Sequence, residues 1–143
     1  MEIWYETKVR LERTLENGMV KKVTETYMVN ALSFTEAEAR TIEEITPYAS
    51  GEFGVVAIKR SRVSEIFEFE GDKWYNCKLD FITLDEKSGS EKRAAHYVLV
   101  AGNSINDAKD NIHKGMHGTM SDYVISSISE TKIMDVFIPT KVG

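Results

Sequence analysis

The chain has 143 residues, 42% hydrophobic and 29% charged, the composition of an ordinary soluble globular domain. Its net charge of -5 gives no global attraction to phosphate or to anionic lipid, so any nucleic-acid contact would need a local basic patch. Cys77 is the only cysteine, which excludes an intramolecular disulfide and a cysteine-based metal cluster. Met1 to Tyr5 lacks a basic segment leading into an apolar run, and no apolar stretch approaches the roughly 20 residues that span a bilayer, so the expectation is a cytoplasmic protein without membrane contact.

From Ile3 to Leu15 the residues Tyr5, Thr7, Val9 and Leu11 alternate with Trp4, Glu6, Lys8 and Arg10, the period of a half-buried strand. Asn17-Gly18 predicts a two-residue type I′ hairpin, because both residues tolerate a positive φ. The return strand runs from Met19 to Leu32. Ser33 with Glu36 has the spacing of a capping box, opening a helix whose apolar residues are Ala37, Ala39, Ile42 and Ile45 and which Pro47 and Gly51 end. A long strand from Glu52 to Phe69 follows. Its apolar parity changes around Lys59 to Arg62, as a bulge in mid-strand would cause.

After the tight link Gly71-Asp72 the pattern recurs. A strand from Trp74 to Leu84, a polar turn at 85–89 and a return strand from Lys92 to Gly102 precede a helix opened by Ser104 and Asp107, with Ile105, Ala108 and Ile112 on one face. Gly115 or Gly118 stops it, and a long strand runs from Tyr123 to Ile138 before a loose tail at Thr140 to Gly143. At an ungapped spacing of 70 the identical pairs are Trp4/Trp74, Tyr5/Tyr75, Lys8/Lys78, Glu16/Glu86, Lys22/Lys92, Tyr27/Tyr97, Ala31/Ala101, Ile42/Ile112, Ile58/Ile128 and Phe67/Phe137. The helices match better with a shift of one residue near Phe34 and Ile105. The expectation is an α+β fold built by tandem duplication of a β-β-α-β unit. Its antiparallel sheet would carry two helices with pseudo-two-fold symmetry. One domain would hold both copies, about 3–70 and about 73–138, around a shared core, since a unit of that size is marginal alone.

The segments Val20 to Glu25, Ala31 to Ala39, Ile58-Lys59-Arg60, Phe81 to Gly89 and Gly118-Thr119-Met120 with Asp122-Tyr123 are distinctive together. In them the chain resembles a domain-of-unknown-function family of gut bacteria and their phages, over nearly its whole length. The resemblance implies an origin in a phage or mobile element. It transfers no activity and no catalytic residue.

The repeated Trp-Tyr-x-x-Lys supplies the candidate binding surface. If Tyr5, Val9 and Leu11 face the core, Trp4, Lys8 and Arg10 face outward or lie beneath a helix, and Trp74 and Lys78 repeat the arrangement. Exposed rings beside cations are what single-strand binders use, with bases stacking and phosphates meeting Lys or Arg. Lys59, Arg60 and Arg62 could extend the patch. The competing reading packs each Trp against its helix and leaves the lysines solvated. His113 and His117 have the spacing of two ligands on a helix, but Gly115 intervenes and no third ligand is evident, so no metal and no cofactor are expected. The carboxylates Glu36, Glu38, Glu43, Glu44, Asp107 and Asp110 read as solvated helix faces, and Cys77 as a buried, inert thiol. With no nucleotide-binding or nucleophile-elbow motif, the expectation is a non-enzymatic binding or adaptor protein engaging single-stranded nucleic acid. The alternative is a protein-interaction module or self-assembling subunit, and the third a small-molecule binder in a cleft between the copies.

Overall fold

The computed structural model describes residues 3–138; Met1, Glu2 and the expected tail at Thr140 to Gly143 lie outside the described residues. The fold is α+β, with strands β1 (Trp4–Thr14), β2 (Val20–Asn30), β3 (Gly54–Arg60), β4 (Val63–Phe67), β5 (Lys73–Leu84), β6 (Glu91–Gly102), β7 (Asp122–Glu130) and β8 (Ile133–Phe137), and helices α1 (Phe34–Ile45) and α2 (Ile105–Gly115). They form two compact units, residues 3–62 with 132–138, and residues 63–131. The chain therefore divides at Arg62 and at Thr131, not at the Gly71-Asp72 link. Each unit has its own four-stranded sheet, ordered β3-β1-β2-β8 in the first and β4-β6-β5-β7 in the second.

The two long strands expected at 52–69 and 123–138 are each two strands in two different sheets. The parity change that predicted a bulge is where the chain leaves one ladder for another, at Ser61-Arg62 and at Thr131-Lys132. The Ser61 N–H donates to the Trp4 carbonyl (2.8 Å) and the Thr131 N–H to the Trp74 carbonyl (2.9 Å), each closing the ladder before the crossing. Beyond it, β4 pairs parallel with β6 and β8 parallel with β2.

The first hairpin also departs from expectation. The Gly18 N–H donates to the Leu15 carbonyl (2.9 Å) and the Leu15 N–H to the Met19 carbonyl (2.7 Å), and Gly18 alone in the turn has a positive φ, 83°. The loop is thus three residues, Glu16-Asn17-Gly18, ending on a left-handed glycine rather than the two-residue I′ form. The second hairpin has the same closure, Asp85 N–H to the Ser90 carbonyl (2.9 Å), around a loop one residue longer whose left-handed glycine is Gly89. A one-residue difference in a hairpin loop inverts the faces of the return strand. Tyr27 pairs with Thr7, whereas Tyr97 pairs with Lys78, so these two tyrosines lie on opposite faces of their sheets. The ungapped 70-residue register therefore fails through β2 and α1. Elements correspond there at 71, as Gly18/Gly89 and the helix caps Ser33/Ser104 do, while β1/β5, β3/β7 and β4/β8 correspond at 70.

Both capping boxes form. The Ser33 hydroxyl accepts from the Glu36 N–H (3.1 Å) and Glu36 accepts from the Leu32 N–H (3.3 Å); Ser104 and Asp107 do the same with the Asp107 and Asn103 N–H groups (3.1 and 2.8 Å). In the first unit Tyr5, Val9 and Leu11 of β1 and Tyr27 and Val29 of β2 pack with Ala37 and Ile45 of α1. Phe137, arriving on β8, stacks on Tyr27 with centroids 5.1 Å apart. Ile42 was expected over the sheet but is 40% exposed, and Ala39 is exposed too. The buried stripe of α1 is Ala37, Thr41 and Ile45. Thr41 can be buried because its hydroxyl is satisfied, donating to the Ala37 carbonyl (2.8 Å) and lying 3.2 Å from the Thr7 hydroxyl.

In the second unit Tyr75, Cys77 and Leu79 of β5 and Val98 and Val100 of β6 pack with Ala108, Ile112 and Met116. Phe81 is half-buried and Ile105 exposed. Phe67 of β4 completes this core: a Cβ at Gly115 would meet its ring at 2.8 Å, so α2 needs a glycine where the ring presses on it. Gly71 is likewise required by contact, since a Cβ there would run into the Gly102 backbone.

Leu79→Ala should cost about 2–5 kcal/mol in unfolding free energy, whereas Ile42→Ala should stay within about 0.5 kcal/mol of wild type. Chemical denaturation of the two variants measures both; equal effects would contradict the assignment of the helix faces.

Candidate nucleic-acid interface

The period-two alternation of β1 fixes what each of its side chains can do. Tyr5, Thr7, Val9 and Leu11 lie beneath α1, leaving Trp4, Glu6, Lys8 and Arg10 on the opposite face of the first sheet. The three-residue loop sets Lys22 beside Glu12, Thr24 beside Arg10 and Thr26 beside Lys8, so β2 adds Lys22, Thr24 and Thr26 to that face. From β3 come Ala57, beside Lys8, and Lys59, beside Glu6. Lys8, Arg10, Lys22 and Thr24 are exposed. Lys8, Arg10 and Lys22 make no ion pair among the described residues; Lys59 lies 3.7 Å from Glu6. The acidic residues Glu36, Glu38, Glu43 and Glu44 are on α1, which covers the other face.

The remaining sequence candidates separate. Trp4 is 3% exposed, and among the described residues its indole Nε1 has no hydrogen-bond partner. Trp4 was expected to offer a ring for base stacking, and burial removes it from that role. Arg60 is exposed but pairs with Tyr5, on the α1 side of the sheet, and Arg62 is exposed in the crossing between units. Trp74 and Lys78 are half-buried and belong to the second unit's sheet. Lys22 was missed. With the two-residue loop it would have stood beside Arg13 on the α1 side; the extra loop residue brings it to the face of Arg10.

A hollow of about 220 Å³ opens where β3 begins, lined by Arg10, Leu11, Lys22, Glu52, Phe53, Gly54 and Val56. Sequence reasoning missed Phe53, the aromatic residue in this lining, because it carries no motif and its expected strand gave no sign of the cations it would meet.

Two further clusters lie in the second unit. The Ser64 hydroxyl is 3.2 Å from either ring nitrogen of His96, and Glu65 Oε2 is 3.6 Å from His96 Nε2. A nucleophilic triad places its carboxylate and its hydroxyl on opposite ring nitrogens; here the carboxylate reaches Nε2, which the hydroxyl also contacts. His113 Nδ1 is 2.7 Å from the Tyr123 hydroxyl, and His117 lies beyond the end of α2, so the helical pair drawn from their spacing does not form. No group of three His, Cys, Asp or Glu side chains among the described residues is placed to hold a metal ion.

Burial raises the Cys77 thiol to about 11. Desolvation, with the Glu25 carboxylate second, raises the Tyr27 phenol to about 12. Both groups are neutral in the folded state while their unfolded counterparts ionise at lower pH. The stability they contribute is complete below about pH 9 and is lost as pH rises through the folded values. At about pH 8 the native Cys77 thiol should react with a disulfide reagent far more slowly than in denaturant; equal rates would contradict its burial. Trp4→Ala should destabilise by about 3–5 kcal/mol, as loss of a core aromatic does, and an unchanged unfolding midpoint would return Trp4 to the surface.

No helix among the described residues is long and apolar enough to cross a membrane. No curated protein and no solved structure matches the chain. A family model described as a domain of unknown function matches residues 3–140. The chain therefore belongs to the domain of unknown function family DUF4494.

Proposed function

We propose that the protein is a non-enzymatic binding protein that holds single-stranded nucleic acid on the exposed end of its first sheet's face opposite α1, around Lys8, Arg10 and Lys22. The observation that carries this reading is the exposed set Lys8, Arg10 and Lys22, without ion pairs among the described residues, on the sheet face opposite the acidic helix α1. A chain of net charge -5 can attract phosphate only through such a local set of cations, here beside Glu6 and Glu12 on the same face. Lys8 and Arg10 stand about 6.6 Å apart along β1, a spacing that suits successive phosphates of an extended strand. Thr24 beside Arg10 and Thr26 beside Lys8 add hydroxyl donors. Trp4 takes no part, and Trp74 and Lys78 are outside this surface. The setting is the cytoplasm of a cell carrying a phage or mobile element. A single, buried cysteine suits a reducing compartment, and the resemblance of segments such as Ala31 to Ala39 supplies the origin.

The same reading includes a tandem duplication. Its support is the shared strand order, the left-handed glycine in each hairpin, the serine cap of each helix, and register shifts after Lys8 and after Lys78 in the β1–β3 and β5–β7 ladders. One residue inserted into the second hairpin loop accounts for the change of spacing from 70 to 71.

Fluorescence anisotropy with a labelled thymidine oligonucleotide of about 12 nucleotides, within the site sizes of small single-strand binders, tests the function. Affinity should fall with added salt at a slope of about 0.7 per phosphate contact, and Lys8→Ala, Arg10→Ala and Lys22→Ala should each lower that slope by about one contact. Glu43→Gln, on the opposite side, should leave the slope unchanged. Absence of binding at low salt would overturn the reading and leave protein recognition in its place.

A further inference from the structure

We propose that the hollow at the start of β3 is a base pocket selecting guanine, within the strand bound by the neighbouring basic face; the assignment rests on the reading above. Its lining divides by chemistry. Phe53 and Val56 give apolar surface; Phe53 is half-buried, packing against the cluster of Val9, Leu11, Tyr27 and Ile45 while also lining the hollow, where it offers ring surface to a base. Arg10 brings a planar guanidinium suited to stacking or to a phosphate, and Lys22 a second cation. Glu52 brings a carboxylate. None of these three charges has an ion pair or side-chain hydrogen bond among the described residues.

The carboxylate decides the base. It offers two oxygens side by side, both acceptors and neither a donor. Guanine alone presents two adjacent donors on its Watson–Crick edge, N1–H and the exocyclic N2 amine. Thymine and uracil set one N–H between two carbonyls that a carboxylate repels. Adenine and cytosine each set one amine beside a ring acceptor. A bidentate contact to Glu52 is therefore open only to guanine. Gly54 keeps the space clear: its φ is not positive and a Cβ built on it meets nothing within 4 Å, so backbone strain does not account for the glycine. The absent side chain leaves room at the wall of the hollow.

The experiment compares the all-thymidine strand with the same strand carrying one central guanine, and with central adenine and cytosine controls, by anisotropy at fixed salt. The guanine strand should bind about tenfold tighter, the order of one bidentate base contact, and adenine and cytosine should give no gain. Glu52→Gln and Gly54→Leu should each abolish the difference, the first by replacing one acceptor with a donor and the second by filling the hollow. Lys8→Ala should weaken both strands and preserve their ratio. If the thymidine strand binds and guanine adds nothing, the base pocket is wrong while the phosphate-binding face stands. A guanine preference that survives both variants also overturns the pocket. If neither strand binds, both proposals fall together.

Discussion

The register of β1 against β2 decides what every side chain of the first sheet does, and the left-handed backbone of Gly18 fixes that register. A φ of 83° is cheap for glycine and strained for residues with a Cβ. With Gly18 in place the loop takes three residues, Thr7 lies beside Tyr27 and Glu12 beside Lys22. Tyr27 and Val29 then fall beneath α1, and Lys22 and Thr24 fall on the open face. Closing the loop with one residue fewer would invert β2. Tyr27 would leave the core, and Lys22 would move away from Arg10. The hydrophobic core and the basic face are therefore two results of one turn, and neither can shift without the other.

The second organising feature is that each unit's sheet is completed by a short parallel strand delivered across a two-residue crossing. Phe137 on β8 stacks on Tyr27 and packs against the Tyr5/Val29 cluster and the Val9/Leu11 cluster of the first unit. Phe67 on β4 belongs to the core of the second, against Gly115. Five residues in each case supply an aromatic ring to a core otherwise built from a hairpin, one helix and the antiparallel strand beside the hairpin. The sequence distance between Tyr27 and Phe137 makes this first-unit contact costly to form early, because loop closure precedes the contacts that compensate for it.

Much of this was legible in the residues. The alternation in β1 and β5 placed Tyr5, Val9, Leu11, Tyr75, Cys77 and Leu79 in the cores, and both serine caps were read from spacing alone. Local rules work there because each depends on neighbours within a few residues. Three features were hidden by physics that is not local. Whether Asn17-Gly18 makes a two- or three-residue loop depends on the twist and packing of the strands it joins, and the choice concealed both Lys22 and the opposite orientations of Tyr27 and Tyr97. The destination of β4 and β8 depends on which sheet edge accepts a parallel strand; a parity change marks the departure but not the arrival. Thr41 was passed over for Ile42 because its burial depends on a hydroxyl partner, Thr7, that only the folded sheet provides. The same gap separated Trp4 from its expected role: alternation gave its face correctly, but burial at one end of that face and exposure of Lys8 and Arg10 at the other are tertiary facts.

The functional account follows from a local set of cations that no carboxylate among the described residues pairs. Three such cations on one face of a sheet, interspersed with Glu6 and Glu12 and with the acidic helix α1 behind the other face, give an acidic protein a local attraction for polyanions, while its net charge limits indiscriminate binding. The hollow beside Arg10 adds a place where such a partner could be read and not only held. Backbone amide chemical-shift mapping during titration with a thymidine oligonucleotide tests this most directly. The account predicts that the largest changes fall together on Lys8 to Glu12, Lys22 to Thr26 and Glu52 to Ala57, with α1 and the second unit's β5 little affected. Changes centred on Trp74 and Lys78, on α1, or spread evenly over the chain would contradict it.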